Sequence, residues 1–356
     1  MSSTKPDTTG GFRPSVALLP AVARPATDCI RADGQLDAAA LSPAVQKLLL
    51  RSVRVRNIVS SMLIEGERVE LTRAIRVLDT AQPDTVNERA VLQISRLYDR
   101  LASGRFLPLT LQGIADTHKE AFEGVLDEDV AGLFKTRANA IVDVATGRIL
   151  IVPTPPQRVR AELRALLKWL DESRHRMVAP ILAGVFFAEF QAIHPFLDGN
   201  GRIGRLYNLS LLAELGMPNA PLVPLDSRFY QTRKRYYELL ATTNSGRRYD
   251  LWLRYFVGEL RHAYRLAVAR SDLRPLVEQF RGRAIRDVLT WALSGGGEWF
   301  SHGDFPNPAR FSLPAVTQAL ALLRKEGILE SKGERRGRMY RLRADYLSRL
   351  QSGSPF

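Results

Sequence analysis

The chain has 356 residues, 45% hydrophobic and 25% charged, with 25 Gly and 20 Pro, a globular composition that excludes collagen-like, coiled-coil and wholly disordered chains. Lys and Arg number 51 against 37 Asp and Glu, a net charge of +14, which favours anionic partners such as nucleotide phosphates, nucleic acid or acidic protein surfaces. The single cysteine, Cys29, cannot make an internal disulfide, no stretch of about 18 apolar residues is present to span a bilayer, and residues 16–19 are too short for a secretory core. A cytoplasmic protein with no membrane partner is the expectation.

Residues 1–40, rich in Ser, Thr, Pro and Gly, read as an N-terminal arm. A helical region over 41–100 begins at Ser42, a capping residue, and Pro43, suited to a first turn. Val45, Leu48, Leu49, Val53, Ile58, Met62 and Leu63 then recur at mostly helical spacing, and Gly66 supplies a C-terminal stop. Residues 88–101, 110–122, 159–170 and 179–193 read as further helices, the last apolar enough to be buried on several sides. Between them, residues 140–144 and 148–152 are apolar and β-branched around the turn Ala145-Thr146-Gly147, which predicts a small hairpin ended by Pro153. A boundary falls near 270–276. Beyond it, residues 277–293 read as a helix and 294–310 as a loop. Residues 312–326 form a second helix with a stripe of Leu313, Val316, Leu320 and Leu323, and a strand–turn–strand pattern closes at 339–342. Over 275–350 this is the outline of a winged helix-turn-helix. The fold class is therefore mostly α, with one small hairpin and a C-terminal winged domain.

The stretch that carries chemistry is His194-Pro195-Phe196-Leu197-Asp198-Gly199-Asn200-Gly201-Arg202-Ile203-Gly204-Arg205, set between two apolar helices, the second over 206–215. Gly199 and Gly201 permit positive φ and close approach of backbone N–H groups to a ligand. Such a loop at a helix N-terminus is an anion nest. Arg202 and Arg205, three apart, share one face if a helix begins near Gly201, and two guanidiniums beside a nest suit a polyphosphate. Asp198 is a hard oxygen ligand of the kind Mg²⁺ takes when it bridges phosphates. His194 is a base near working pH. Together these describe transfer from a nucleoside triphosphate to a hydroxyl, without the Gly-Lys-Ser/Thr of a Walker A loop.

This stretch resembles the Fic signature, HxFx(D/E)GNGRxxR, at every specified position. The resemblance covers roughly residues 40–270, with the core at 101–270. It implies a compact helical fold with a hairpin flap, and transfer of AMP from ATP to a Ser, Thr or Tyr hydroxyl of target proteins, the enzyme itself included. In that reading His194 takes the hydroxyl proton, Asp198 holds Mg²⁺, and Asn200 with the Gly199 and Gly201 backbone holds the α-phosphate region. Arg202 and Arg205 grip the β- and γ-phosphates, with Ile203 and Gly204 between them, while Phe196 anchors the core. Tyr236 and Asn244 sit where the family contacts adenine and ribose. Ile149, Leu150, Ile151 and Val152 correspond to the flap that docks a target segment by strand addition. A homodimer is a further partner that the resemblance admits.

Ser61-Met62-Leu63-Ile64-Glu65-Gly66 resembles the family's inhibitory motif, (S/T)xxxE(G/N). It implies a carboxylate, Glu65, paired with Arg205 where the γ-phosphate belongs, with Ser61 and Gly66 completing the motif. In the wing, Lys332, Arg335, Arg336 and Arg338 are candidate contacts to DNA, with protein docking as the alternative. Two other functions stay open on sequence alone: removal of AMP from a modified protein at the same site, and a DNA-binding regulator that senses nucleotide.

Overall fold

A computed structural model describes residues 20–39, 43–142, 147, 149–246 and 249–271, and of the C-terminal part 282, 284–285, 288–289, 292, 299–302, 312–334 and 337–343. Eleven helices come first in chain order: α1 (Pro20–Ala38), α2 (Pro43–Ile64), α3 (Leu71–Thr80), α4 (Val86–Ala102), α5 (Leu111–Phe122), α6 (Pro156–Ser173), α7 (Ala179–Ile193), α8 (Asn200–Glu214), α9 (Leu225–Gln231), α10 (Arg233–Gly246) and α11 (Tyr249–Ser271). Strands β1 (Ile141–Val142) and β2 (Ile149–Ile151) lie between α5 and α6. Helix α12 (Leu313–Lys325) and strands β3 (Leu329–Lys332) and β4 (Met339–Leu342) follow. The mostly helical fold class holds.

Local chemistry explains the element starts nearest the site. Thr85 caps α4 by accepting from Glu88 N at 3.2 Å, and Thr110 caps α5 by accepting from Gly113 N at 2.9 Å. Helix α7 is apolar but for Glu189 and Gln191, and its residues are buried on every face but at Ala192, packed among α6, α8, α10 and α11. It is the axis of the molecule, and its C-terminal end delivers His194.

Helix α2 ends in a Schellman turn. Glu67 N donates to Met62 O at 3.0 Å and Gly66 N to Leu63 O at 3.2 Å, with Gly66 at φ 86. That turn fixes the directions in which Glu65 and Glu67 leave the helix.

Three sequence expectations change. Residues 20–38 are not an arm but α1, whose Val22, Ala26, Cys29, Asp33 and Leu36 form a buried stripe along α11. Two prolines and small apolar residues hid that period. The hairpin is real but shorter than expected, pairing Ile141 with Ile151 and Val142 with Ile149, and its turn residues 143–146 lie outside the described residues. In α12, Val316, Leu320 and Leu323 are buried together with Ala319, whereas Leu313 is 67% exposed because it sits in the first turn, ahead of the packed stripe. The β3–β4 hairpin pairs in register from Leu329↔Leu342 to Lys332↔Met339, and Phe300 bridges to Tyr340. Most of the expected helix over 277–293 lies outside the described residues.

Candidate active site

His194 is the C-cap of α7 and takes a left-handed conformation, φ 50 and ψ 64, which turns the chain sharply out of the helix. A non-glycine residue there carries strain that the surrounding contacts must hold. The loop that follows is tied at several points. Asn200 accepts from Phe196 N and donates to Phe196 O, both at 2.8 Å. Lys135 N donates to Pro195 O at 2.9 Å, and Asn139 Nδ2 donates to Phe196 O at 2.9 Å. Phe196 is fully buried and stacks on His118 at 3.7 Å between ring centroids.

Gly199 is the N-cap of α8 at φ 76, and a Cβ there would fall 2.5 Å from Phe122 and 2.9 Å from His118 Nε2. Only glycine meets both demands. Gly201, by contrast, is helical. Its Cα lies close against the α2 turn: a Cβ would fall 2.0 Å from Glu65 Oε1 and displace that carboxylate. The Glu65 carboxylate therefore lies over the N-terminal turn of α8, in the anion nest itself.

The two arginines are both nearly inaccessible, and each meets an acid from the α2 turn. Arg205 donates to Glu65 Oε1 at 2.6 Å, to Ser61 Oγ at 2.7 Å and to the Ser61 carbonyl at 3.0 Å. Burial opposes its charge, but Glu65, Tyr236 and Asp226 hold its pKa above the usual arginine value. Arg202 meets Glu67 at 2.8 Å and Asp198 Oδ1 at 3.1 Å, and lies over the Phe122 ring at 4.5 Å. Asp198 itself is 58% exposed at the side chain, its Oδ1 accepting also from Gly199 N at 2.5 Å.

Beside this array His194 is pushed down to about 4, first by burial; Lys135 acts in the same direction while Glu65 and Asp198 oppose. Its imidazole is thus neutral at working pH, as a proton acceptor must be.

The model of the Fic/DOC family matches residues 108–212, which hold this loop, its struts and both arginines. Those residues form a Fic domain. The chain is 27% identical over 198 residues to the protein adenylyltransferase Fic of Drosophila grimshawi, an alignment covering 54% of this chain and 38% of that one. The Drosophila mojavensis counterpart is 28% identical over 198 residues, covering 37% of its own length. The chain thus matches under two-fifths of the length of these relatives. Among solved structures, a Fic family protein from Desulfovibrio desulfuricans G20 superposes with a TM-score of 0.64 at 22% identity, covering 94% of this chain and 99% of that one. Fic-1 from C. elegans superposes at 0.55 with 22% identity, covering 73% of this chain and 76% of that one. These two likenesses speak for the fold.

Within this Fic fold the remaining sequence-predicted residues divide. Ile203 and Gly204 are buried in α8, and a Cβ on Gly204 would fall 2.2 Å from Gln191. Both pack α8 against its neighbours. Tyr236 is 1% exposed, ringed by Phe187, Phe229 and Trp252, with its hydroxyl accepting from Arg205 at 3.4 Å. The Tyr236 ring is enclosed in the core, and its hydroxyl is the end that meets the site through Arg205. Its neighbour Tyr237 is only partly buried, with its hydroxyl on Ile64 O at 3.2 Å and Arg233 over its ring. Asn244 lies in α10, and its side chain falls outside the described residues. On the hairpin Ile151 is buried, Leu150 partly so, and Ile149 and Val152 stand 59% and 71% exposed. Lys332 and Arg338 are described; Arg335 and Arg336 are not.

The fold adds residues that the sequence reading missed. His118 is fully buried; Gly132 N donates to its Nδ1 at 2.9 Å, so Nε2 carries the proton and donates to Asp198 O at 3.0 Å. Lys135, pushed down to about 8 by burial, donates to Asn139 Oδ1 at 2.9 Å and to Ile193 O at 3.3 Å. Asp226, buried in α9, is pushed up to about 6 by burial, with Arg205 and Ser61 opposing. Glu67 is the fourth addition.

Among the described residues no three His, Cys, Asp or Glu side chains gather into a metal site. Asp198 alone offers an exposed carboxylate, which fits a Mg²⁺ ion whose other ligands are phosphate oxygens and water.

Proposed function

We propose that this chain is a protein adenylyltransferase, transferring AMP from ATP to protein hydroxyls, with Glu65 as its brake. The observation that supports this most is a neutral His194 beside a helix N-terminus whose buried Arg205 is held by a displaceable carboxylate. In the reaction, His194 accepts the proton of a Ser, Thr or Tyr hydroxyl as its oxygen attacks the α-phosphorus. The bond from that phosphorus to the bridging oxygen breaks, and pyrophosphate leaves. The α8 N-terminus stabilises charge on the transferring group, while Arg202 and Arg205 orient the departing phosphates once released by their acids. Mg²⁺ held by Asp198 would supply charge neutralisation at the phosphates.

The exposed Ile149 of β2 and Val152 just beyond it suit docking of an extended target segment by strand addition. Asn200 serves this site through the loop, since both ends of its amide are engaged by Phe196. With Tyr236 enclosed, Tyr237 is the better base-contacting candidate. No described helix is long and apolar enough to cross a membrane, and we assign the reaction to the cytoplasm on the lone, buried Cys29.

We assign the C-terminal hairpin to a winged helix. Lys332 and Arg341 lie over the Trp299 ring at 4.3 and 4.4 Å, a basic surface with an aromatic centre that suits nucleic acid. Incubation with labelled ATP and Mg²⁺ tests the central claim: self-labelling supports transfer, loss of AMP from a premodified protein supports removal, and ATP-dependent DNA binding without turnover supports a regulator.

A further inference from the structure

Helix α2 presents two carboxylates to α8, and only Glu65 belongs to the inhibitory motif. Glu67 meets the other arginine. Its Oε1 lies 2.8 Å and its Oε2 2.9 Å from Arg202 Nη1, while Arg202 Nη2 meets Asp198 Oδ1 at 3.1 Å. Both amino ends of Arg202 are thus taken by acids, and its Nε is buried without a hydrogen-bond partner. The arginine side chain is 1% exposed against 27% for Glu67, so the acid stands on the solvent side of the pair and the guanidinium behind it.

The position of Glu67 is set by backbone, not by chance of a long side chain. Its own N–H closes the Schellman turn on Met62 O at 3.0 Å. Glu65 and Glu67 are therefore displayed by one rigid turn on either side of Gly66. The pairs Glu65–Arg205 and Glu67–Arg202 share no atom. Each arginine can accept a phosphate only by exchanging its acid for it.

We propose that Glu67 is a second inhibitory carboxylate, which closes Arg202 and its partner Asp198 against the polyphosphate independently of Glu65. This rests on the adenylyl-transfer reading for its purpose, but its physical content is a competition for nucleotide. Removing Glu65 alone leaves half of the lock in place.

The test measures binding of Mg·ATP by calorimetry to the full chain, without turnover, in wild type, Glu65→Gly, Glu67→Gln and the double variant, with Mg·AMP as control. Glu67→Gln keeps the shape and removes the charge. It should tighten Mg·ATP about fivefold in either background, as expected for a partly exposed charge-assisted pair, and leave Mg·AMP unchanged because AMP lacks the terminal phosphates. Glu67→Asp should fall between, and stands in if the glutamine variant does not fold. Unchanged or weakened Mg·ATP binding in both substitutions overturns the second lock, since a merely structural Glu67 predicts that result together with a lower Tm. Tighter binding with no labelling of any hydroxyl upholds the lock and refutes adenylyl transfer. Labelling with unaltered binding does the reverse.

Discussion

Glu65 Oε1 lies 2.0 Å from where a Cβ on Gly201 would stand. A residue of the α2 turn and a residue of the α8 N-terminus thus share the space in which backbone N–H groups could receive an anion. The same oxygen accepts from Arg205 at 2.6 Å. One carboxylate occupies both the nest and the guanidinium, which are separate phosphate contacts in the proposed reaction.

Glu65→Gly should therefore raise self-labelling by about tenfold or more, the scale of a charge-assisted hydrogen bond to a buried partner. Arg205→Ala breaks the same pair but deletes a phosphate contact and leaves Asp226 buried without its cation, so it should not activate. Labelling by both with labelled ATP checks this. Equal activation by the two changes would mean that loosening of the fold, not release of a competitor, controls the labelling.

His194 carries the next prediction. His194→Ala in the Glu65→Gly background should lose about 10²–10⁴-fold of labelling, the usual contribution of a general base, while Mg·ATP binding persists. The pH profile adds a sharper reading. With the imidazole pKa near 4 rather than 6.5, and lower still once Glu65 no longer opposes the shift, the acid limb attributable to His194 should be absent between pH 5.5 and 7.5. An inflection near 6.5 that vanishes with His194 would refute the burial argument.

The loop from His194 to Arg205 was legible because its residues are contiguous: histidine, acid, glycines and arginines fall within one short stretch. Its supports were not. Glu67 lies 135 positions from Arg202, and His118 lies 80 from Asp198, so no local spacing signals either pair. The surroundings of Tyr236 were hidden for a related reason. An aromatic residue in an amphipathic helix reads the same whether it lines a pocket or fills a core, and only the packing of Phe187, Phe229 and Trp252 around it decides. Helix α1 escaped because it carries prolines at Pro20 and Pro25 and most of its buried face is Ala, Cys and Asp, too weakly apolar to show a period.

For the wing, Lys332→Ala with Arg338→Ala should weaken binding of duplex DNA across sequences and flatten the dependence of log K on log salt by about 2 if both contact phosphates. Electrophoretic shift over a salt series measures the slope. No detectable binding at low salt would assign the surface, with its exposed Leu313, to protein docking instead.

His118 links loop geometry to stability. Its Nδ1 accepts from Gly132 and its Nε2 donates to the Asp198 carbonyl, so only the neutral ring satisfies both partners. Burial holds its pKa to about 4 against 6.5 for a free imidazole. The unfolded chain therefore takes up this proton first as pH falls, and the stabilisation is fully present above pH 6.5 and drains away down to about pH 4. The linked energy is on the order of 3 kcal/mol for such a shift. His118→Ala should be less stable at pH 7.5, through lost stacking on Phe196 and lost loop bonds. Its deficit relative to wild type should then shrink steadily between pH 6.5 and 4, because the variant has no imidazole left to protonate. Denaturant midpoints across that range measure the difference. A deficit that stays constant with pH would mean that His118 has the same pKa folded and unfolded, and that burial between Gly132 and Asp198 does not hold the ring neutral as described.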